Sequence, residues 1–162
     1  MTTAKIPIDF RNPRFSSLAG NSFWNVIALT NVDLGVWDFV KDVQGKIYGV
    51  VQVPKAINAT PNAKVVLSIM ANATSGVTSL IVSSKNLADA GSYNVTLTNE
   101  TQQDITVPGT AYLRKDVSFT LTNAPAASDE IVVVASHEGQ HANDTLAVDT
   151  LLVDAWLEVD LP

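Results

Sequence analysis

Along this chain apolar residues come in short bursts that alternate with Ser, Thr, Asn and Gln, and a period of two marks strands with one buried face. The cleanest run is Asp116-Val-Ser-Phe-Thr-Leu-Thr122, where Val117, Phe119 and Leu121 face one way and hydroxyls the other. Residues 64–70 set Val65, Leu67 and Ile69 on one face, and residues 45–54 do the same with Ile47, Val51 and Val53 before a proline that cannot join a ladder. Further strands are expected at 23–29, 77–83, 92–98, 104–108, 130–135 and 151–159. Helical crossovers between parallel strands need longer periodic segments, and only one short helix is expected, near 144–150. Eight or nine short strands punctuated by Pro and Gly predict an all-β fold, an antiparallel β-sandwich of jelly-roll type.

The first twenty residues read differently. Pro7 and Pro13 limit regular structure, while Ile6, Ile8, Phe10 and Phe15 would be wasted in water. The expectation is an N-terminal arm over residues 1–20, packed on its own domain or on a neighbouring subunit, followed by one sandwich domain over residues 21–162.

Composition narrows the partners. Hydrophobic residues make up 46% of the chain and charged residues 16%, so the chain can bury a core and its surface relies on Thr, Ser and Asn. Ten basic against sixteen acidic residues give a net charge of -6, which disfavours nucleic acid as a partner. Cysteine is absent, which excludes disulfides and thiolate chemistry. Residues 1–10 hold no apolar run of the signal-peptide kind, so no signal peptide is expected, and no stretch approaches the roughly 20 apolar residues of a membrane span. Five N-x-Thr sites, at Asn58, Asn72, Asn94, Asn99 and Asn143, follow from abundant Asn and Thr.

One motif has the letters of a catalytic site. His137-Glu138-Gly139-Gln140-His141 matches the zinc-peptidase pattern, in which two histidines one helical turn apart bind zinc and the glutamate activates water. That chemistry needs a helix, yet Val132, Val133 and Val134 favour a strand, Gly139 interrupts the motif and Asn143-Asp144 reads as a turn. A third ligand would have to come from Asp144, Asp149, Asp154 or Glu158. The expectation is therefore a polar loop between strands, with no catalytic, metal or cofactor residues; a surface metal contact through His137 and His141 is the intermediate case. Asp33, Asp38 and Asp42 lack the glycine-centred loop of a calcium site, and Ser16, Ser17, Ser83, Ser84 and Ser136 sit in no nucleophile elbow.

The three tryptophans carry the remaining choice. Trp24 is expected in the core, whereas Trp37 and Trp156 are the candidates for a sugar-stacking platform with neighbouring Asp, Asn and Gln side chains.

The segments Leu34-Gly-Val-Trp-Asp-Phe39, Tyr48-Gly-Val-Val-Gln-Val-Pro-Lys55, Thr106-Val-Pro-Gly-Thr-Ala111, Val117-Ser-Phe-Thr-Leu121 and Asp144-Thr-Leu-Ala-Val-Asp149 together resemble small β-sandwich proteins of tailed bacteriophage virions. The resemblance implies a jelly-roll capsid decoration, head-fibre or tail-associated protein, located in the virion. It would be a non-enzymatic homo-oligomer that contacts other virion proteins or host-surface glycans through the arm, Trp37 and Phe39. A carbohydrate-binding module for surface glycans is the alternative, and a zinc hydrolase the third reading.

Overall fold

A computed structural model describes residues 2–10, 18–20, 22–57, 63–88 and 91–161. Pro13, Phe15, Ser16, Ser17 and Asn58 fall outside them. Among the described residues twelve strands run in the order β1 (Thr2–Pro7), β2 (Leu18–Gly20), β3 (Ser22–Ala28), β4 (Asp33–Phe39), β5 (Gln44–Gln52), β6 (Lys64–Met70), β7 (Val77–Leu87), β8 (Thr98–Asn99), β9 (Gln103–Thr106), β10 (Lys115–Thr120), β11 (Glu130–Glu138) and β12 (Thr150–Leu161). They form two six-stranded antiparallel sheets, a jelly-roll-like sandwich. The first sheet has the order β10-β6-β12-β4-β3, with β1 also on β12; the second has β2-β5-β11-β7-β8, with β9 also on β7.

The period-two pattern places the core. Val65, Leu67 and Ile69 on β6 and Val117 and Phe119 on β10 meet Ile47, Val51, Ile131, Val133 and Ala135 of the second sheet in one apolar cluster. The outer faces are covered in part as well. Val36, Met70 and Leu151 pack with Tyr112 on the first sheet, and Val50, Leu87 and Val132 lie under Val95 and Leu97 on the second.

Several expectations change. Residues 92–98 alternate as a strand would, yet most of them form a loop whose Val95 and Leu97 cap the second sheet, so the pattern reports burial on a face and not ladder pairing. The helix expected near 144–150 is absent; Thr145 and Leu146 instead bond their N–H groups to the Val77 carbonyl, tying that segment to β7. The Leu34 to Phe39 segment is a full strand, and the strand count exceeds eight or nine. Among the described residues no helix is long and apolar enough to cross a membrane.

The N-terminal segment is regular over part of its length. β1 pairs with the last residues of β12 from Thr2↔Leu161 to Pro7↔Trp156. The chain then crosses between the sheets: Ile8 N–H donates to the Ala155 carbonyl at 3.0 Å, and Asp9 exchanges backbone bonds with Val50 of β5 at 2.9 and 3.2 Å. Ile8 and Phe10 are buried in the core cluster over Gly49. A Cβ at Gly49 would sit 2.5 Å from Phe10 and 2.8 Å from Ile8, so only glycine admits the crossing segment.

A Gly49→Ala substitution should therefore overpack this site and lower stability by about 1–3 kcal/mol. Urea unfolding of the two proteins measures it, and an unchanged midpoint would show that the crossing segment yields freely.

Candidate functional site

β11 continues as a strand through Glu138, so its alternation turns His137 inward and Glu138 outward. His137 is 1% exposed, with the Phe39 ring 5.9 Å away. Its Nε2 lies 2.9 Å from Asp144 Oδ2, which also accepts the Ser79 N–H at 2.8 Å. Nδ1 has no hydrogen-bond partner, so the Nε2–H tautomer is the one that leaves no buried donor unmet. Glu138 accepts from Gln44 Nε2 across the β5 pairing at 3.0 and 2.9 Å.

His141 belongs to the following turn, closed by His141 N–H to the Glu138 carbonyl at 2.8 Å and Asp144 N–H to the His141 carbonyl at 2.9 Å. Its Nδ1 accepts the Asn143 N–H at 3.3 Å and lies 3.8 Å from Asp104 Oδ1. Asp104 takes the Ser79 hydroxyl at 2.6 Å and the Asn143 amide at 2.6 Å. Those bonds hold its carboxyl below the ordinary carboxylate value.

The two histidines thus sit on a strand end and a turn and engage different aspartates. The helical register that zinc hydrolysis requires does not form, and among the described residues no group of His, Cys, Asp or Glu is placed to hold a metal ion. The motif is not a polar loop either: His137 and Asp144 are a buried pair that anchors the β11–β12 connection beneath β7. The other proposed third ligands are also placed elsewhere. Asp149 accepts the Lys41 N–H at 2.9 Å, and Asp154 and Glu158 lie along β12. Asp33, Asp38 and Asp42 do not converge; Asp38 is buried, bonded by Asn25 at 2.7 Å, and burial pushes its carboxyl up.

The tryptophans are arranged against expectation. Trp156 is 5% exposed, with Lys5 Nζ 4.4 Å from its ring centre, Arg114 at 5.5 Å, and its Nε1–H donating to Glu158 at 3.0 Å. Trp37 is 9% exposed in the core, whereas Trp24, expected inside, is 42% exposed. Trp24 and Trp37 face each other across β3 and β4 and meet edge to face, ring centres 5.3 Å apart at 72°. The Trp24 indole lies over Gly35, where a Cβ would come within 2.4 Å of the ring.

This pair lines a cleft of about 340 Å³ with Pro7, Ile8, Phe10 and the carboxylate residues Asp9 and Asp154. The cleft lies at a break in the first sheet. β12 pairs with β4 only through Leu152 and with β1 only from Trp156 onward, and its register shifts between Leu152 and Asp154. Sequence reasoning missed the site because its walls come from four separate segments; the signal present was Trp24 itself, opposite Trp37 in a hairpin with matched lengths. Trp156, by contrast, offers no open face.

No protein-family model and no curated protein sequence matches the chain. Solved structures do. The CBM22-1 and GH10 modules of the Clostridium thermocellum N-terminal endo-1,4-β-D-xylanase 10B, complexed with xylohexaose, align with a TM-score of 0.50 at 11% identity, over 95% of this chain and 28% of that one. TmCBM61 in complex with β-1,4-galactotriose gives a TM-score of 0.47 at 9% identity over 88% of each chain. The family 11 carbohydrate-binding module of Clostridium thermocellum gives 0.44 at 8% identity over 96% of this chain and 95% of that one. At such identities the likeness is one of fold, a jelly-roll-like β-sandwich. The expectation of a bacteriophage virion protein, with capsid or tail partners and a virion location, is overturned: the structural match at a TM-score of 0.50 is to a xylanase chain that carries a CBM22-1 module and not to a virion protein.

Two outcomes test the polar cluster. Replacing His137 by Ala leaves Asp144 buried without its ring partner and should cost about 3–5 kcal/mol in chemical unfolding, while added zinc leaves the unfolding temperature of the wild type unchanged. The depressed Asp104 carboxyl stabilises the fold above its unfolded value and loses that contribution as pH falls through its folded value. Asp104→Asn should accordingly be less stable than wild type at pH 7, and thermal scans should show the difference closing in strong acid.

Proposed function

We propose that the chain is a non-catalytic carbohydrate-binding module that seats a sugar in the Trp24 cleft. The observation that carries this reading is the half-exposed Trp24 indole, braced edge-on by Trp37, beside Asp9 and Asp154 in one cleft. A pyranose has one face rich in C–H groups and a rim of hydroxyls. The flat indole suits the first and the carboxylates suit the second, accepting hydroxyl hydrogens in charge-assisted bonds. Trp37 and Gly35 set the indole's tilt before any ligand arrives, so little rotamer freedom is lost on binding. The shared fold with modules crystallised on xylo- and galacto-oligosaccharides supports a glycan as the partner in place of virion proteins.

Tryptophan fluorescence, titrated with soluble xylo-, galacto-, manno- and mixed-linked gluco-oligosaccharides, tests it. One class should shift or quench the emission, and Trp24→Ala should weaken its binding roughly ten- to hundredfold, the worth of one buried aromatic side chain. A flat response to every glycan would sink the reading, as would binding untouched by Trp24→Ala.

A further inference from the structure

Alternation on β12 puts Ala155 and Leu157 in the core, and Trp156 and Glu158 on the outer face of the first sheet. Their register partners share that face: Pro7 and Lys5 on β1, Val66 and Lys64 on β6. Trp156 is nonetheless buried there. Lys5 from β1 and Arg114 from the segment before β10 close over its ring, at 4.4 and 5.5 Å from the ring centre. With Pro7 and Asp154 these three residues line a pocket of about 180 Å³. Sites that enclose a drug-sized ligand run to roughly 300–1,000 Å³, so this one suits a single ring.

Unused donors and acceptors line the pocket. Arg114 gives Asp116 its Nε–H at 2.9 Å and an Nη2–H at 3.3 Å, which occupies one side of the guanidinium and leaves the Nη1 end without a partner among the described residues. The Lys5 ammonium pairs with Glu158 at 3.7 Å, too long for a hydrogen bond. Asp154 accepts the Ala155 N–H through Oδ1, and among the described residues its Oδ2 accepts nothing. Both cations are held in place before any ligand arrives: Lys5 by the indole face, Arg114 by Asp116, and the indole itself by its Nε1–H bond to Glu158.

Charge decides what such a pocket takes. Lys5 and Arg114 stand against Asp116, Glu158 and Asp154, so the cations are outnumbered in a chain whose net charge is already -6. The Arg114 hydrogen bond holds the Asp116 carboxyl below the ordinary carboxylate value, so that balance stands at neutral pH. An acid sugar would meet more negative charge than positive, and an amino sugar would meet Lys5 and Arg114. A neutral ring uses both kinds of group: its hydroxyl oxygens accept from Arg114 and Lys5, and a hydroxyl hydrogen goes to Asp154. Pro7 and Asp154 also line the Trp24 cleft, so the two cavities are neighbours with Asp154 between them.

We propose that this pocket is a second subsite, which holds the next unit of a neutral glycan chain whose first unit lies on Trp24. It rests on the reading of the protein as a glycan-binding module, and makes that module a reader of chains and not of single sugars. Recognition in this subsite is by hydrogen bonds, since the two cations leave Trp156 no face for stacking.

Calorimetric titration of the full chain with xylo-, galacto-, manno- and mixed-linked gluco-oligosaccharides of increasing length tests it, with oligogalacturonates as the acidic comparison. Affinity for the class that binds should rise roughly tenfold from the single sugar to the longer chains, the worth of one charge-assisted hydrogen bond. Arg114→Ala should remove that rise. Arg114→Lys, which keeps the charge and loses the fork, should remove most of it, and Lys5→Gln gives an independent reading from the other cation. Thermal unfolding confirms that each variant is folded. Equal affinity at every length, or a rise that survives both Arg114→Ala and Lys5→Gln, overturns the subsite and leaves the Trp24 cleft standing. Oligogalacturonates bound more tightly than neutral chains of the same length overturn the neutral class, and a protein that binds none of these sugars overturns subsite and cleft together.

Discussion

β12 is the longest strand among the described residues, and among them no single neighbour covers its flank opposite β6. β4 serves its first residues and β1 its last, and between them the ladder breaks at Val153 and Asp154. A break in a sheet exposes backbone groups and opens the core beneath, so something must close it. The chain does so with residues 8–10: Ile8 takes up the Ala155 carbonyl, Asp9 bonds across to Val50 of the other sheet, and Ile8 and Phe10 fill the space over Gly49. What is left unfilled on the β4 side is the cleft, with Trp24 and Trp37 as one wall and Asp154 as the other. The core closure and the candidate sugar site are consequences of the same mismatch in strand length.

The polar interior follows a related rule. Jelly-roll connections have to be tied to the sheets they pass, and in this chain hydrogen-bonded side chains do it. Asp144 and Asp104 share Ser79, one through its N–H and the other through its hydroxyl, and so fasten the turn after β11 and strand β9 to the same point of β7. Buried Glu100 accepts from Ser84, from the Thr122 hydroxyl and from the Thr122 N–H, joining β7 to the end of β10. The buried members, Ser79, Ser84, Glu100 and the Asp144 carboxylate, cost free energy to bury and are bonded in return, while Asp104 and Thr122 meet them from the surface. His137 belongs to this scaffold, which explains how letters that match a zinc site arise without the function.

The jelly roll is a scaffold shared by proteins with unrelated tasks, so likeness of fold weighs little on function beside the site itself. The virion expectation leaned on texture and on the order of segments, and both belong to the scaffold. Exposure of one aromatic residue against two carboxylates is a local property and separates a binding surface from a packing surface more sharply.

The sequence by itself determined the all-β antiparallel class and most of the strands. Alternation along residues 64–70 and 116–122 is a local consequence of the pleat, and no distant residue can alter it. It also weighed against a helix at the His137 motif, since three consecutive valines and Gly139 oppose a helix locally, though the loop it expected there is a strand end. Three things were decided only by the tertiary structure. Residues 92–98 alternate because they cap a sheet and not because they pair, which depends on the distant Val50 and Val132. Residues 2–7 are a strand because β12 outruns β4, a fact about strand lengths far away in sequence. The exposure of Trp24 and the burial of Trp37 and Trp156 turn on which face and which edge each occupies; periodicity assigns alternate residues to opposite faces but is silent on which face is covered, and by what.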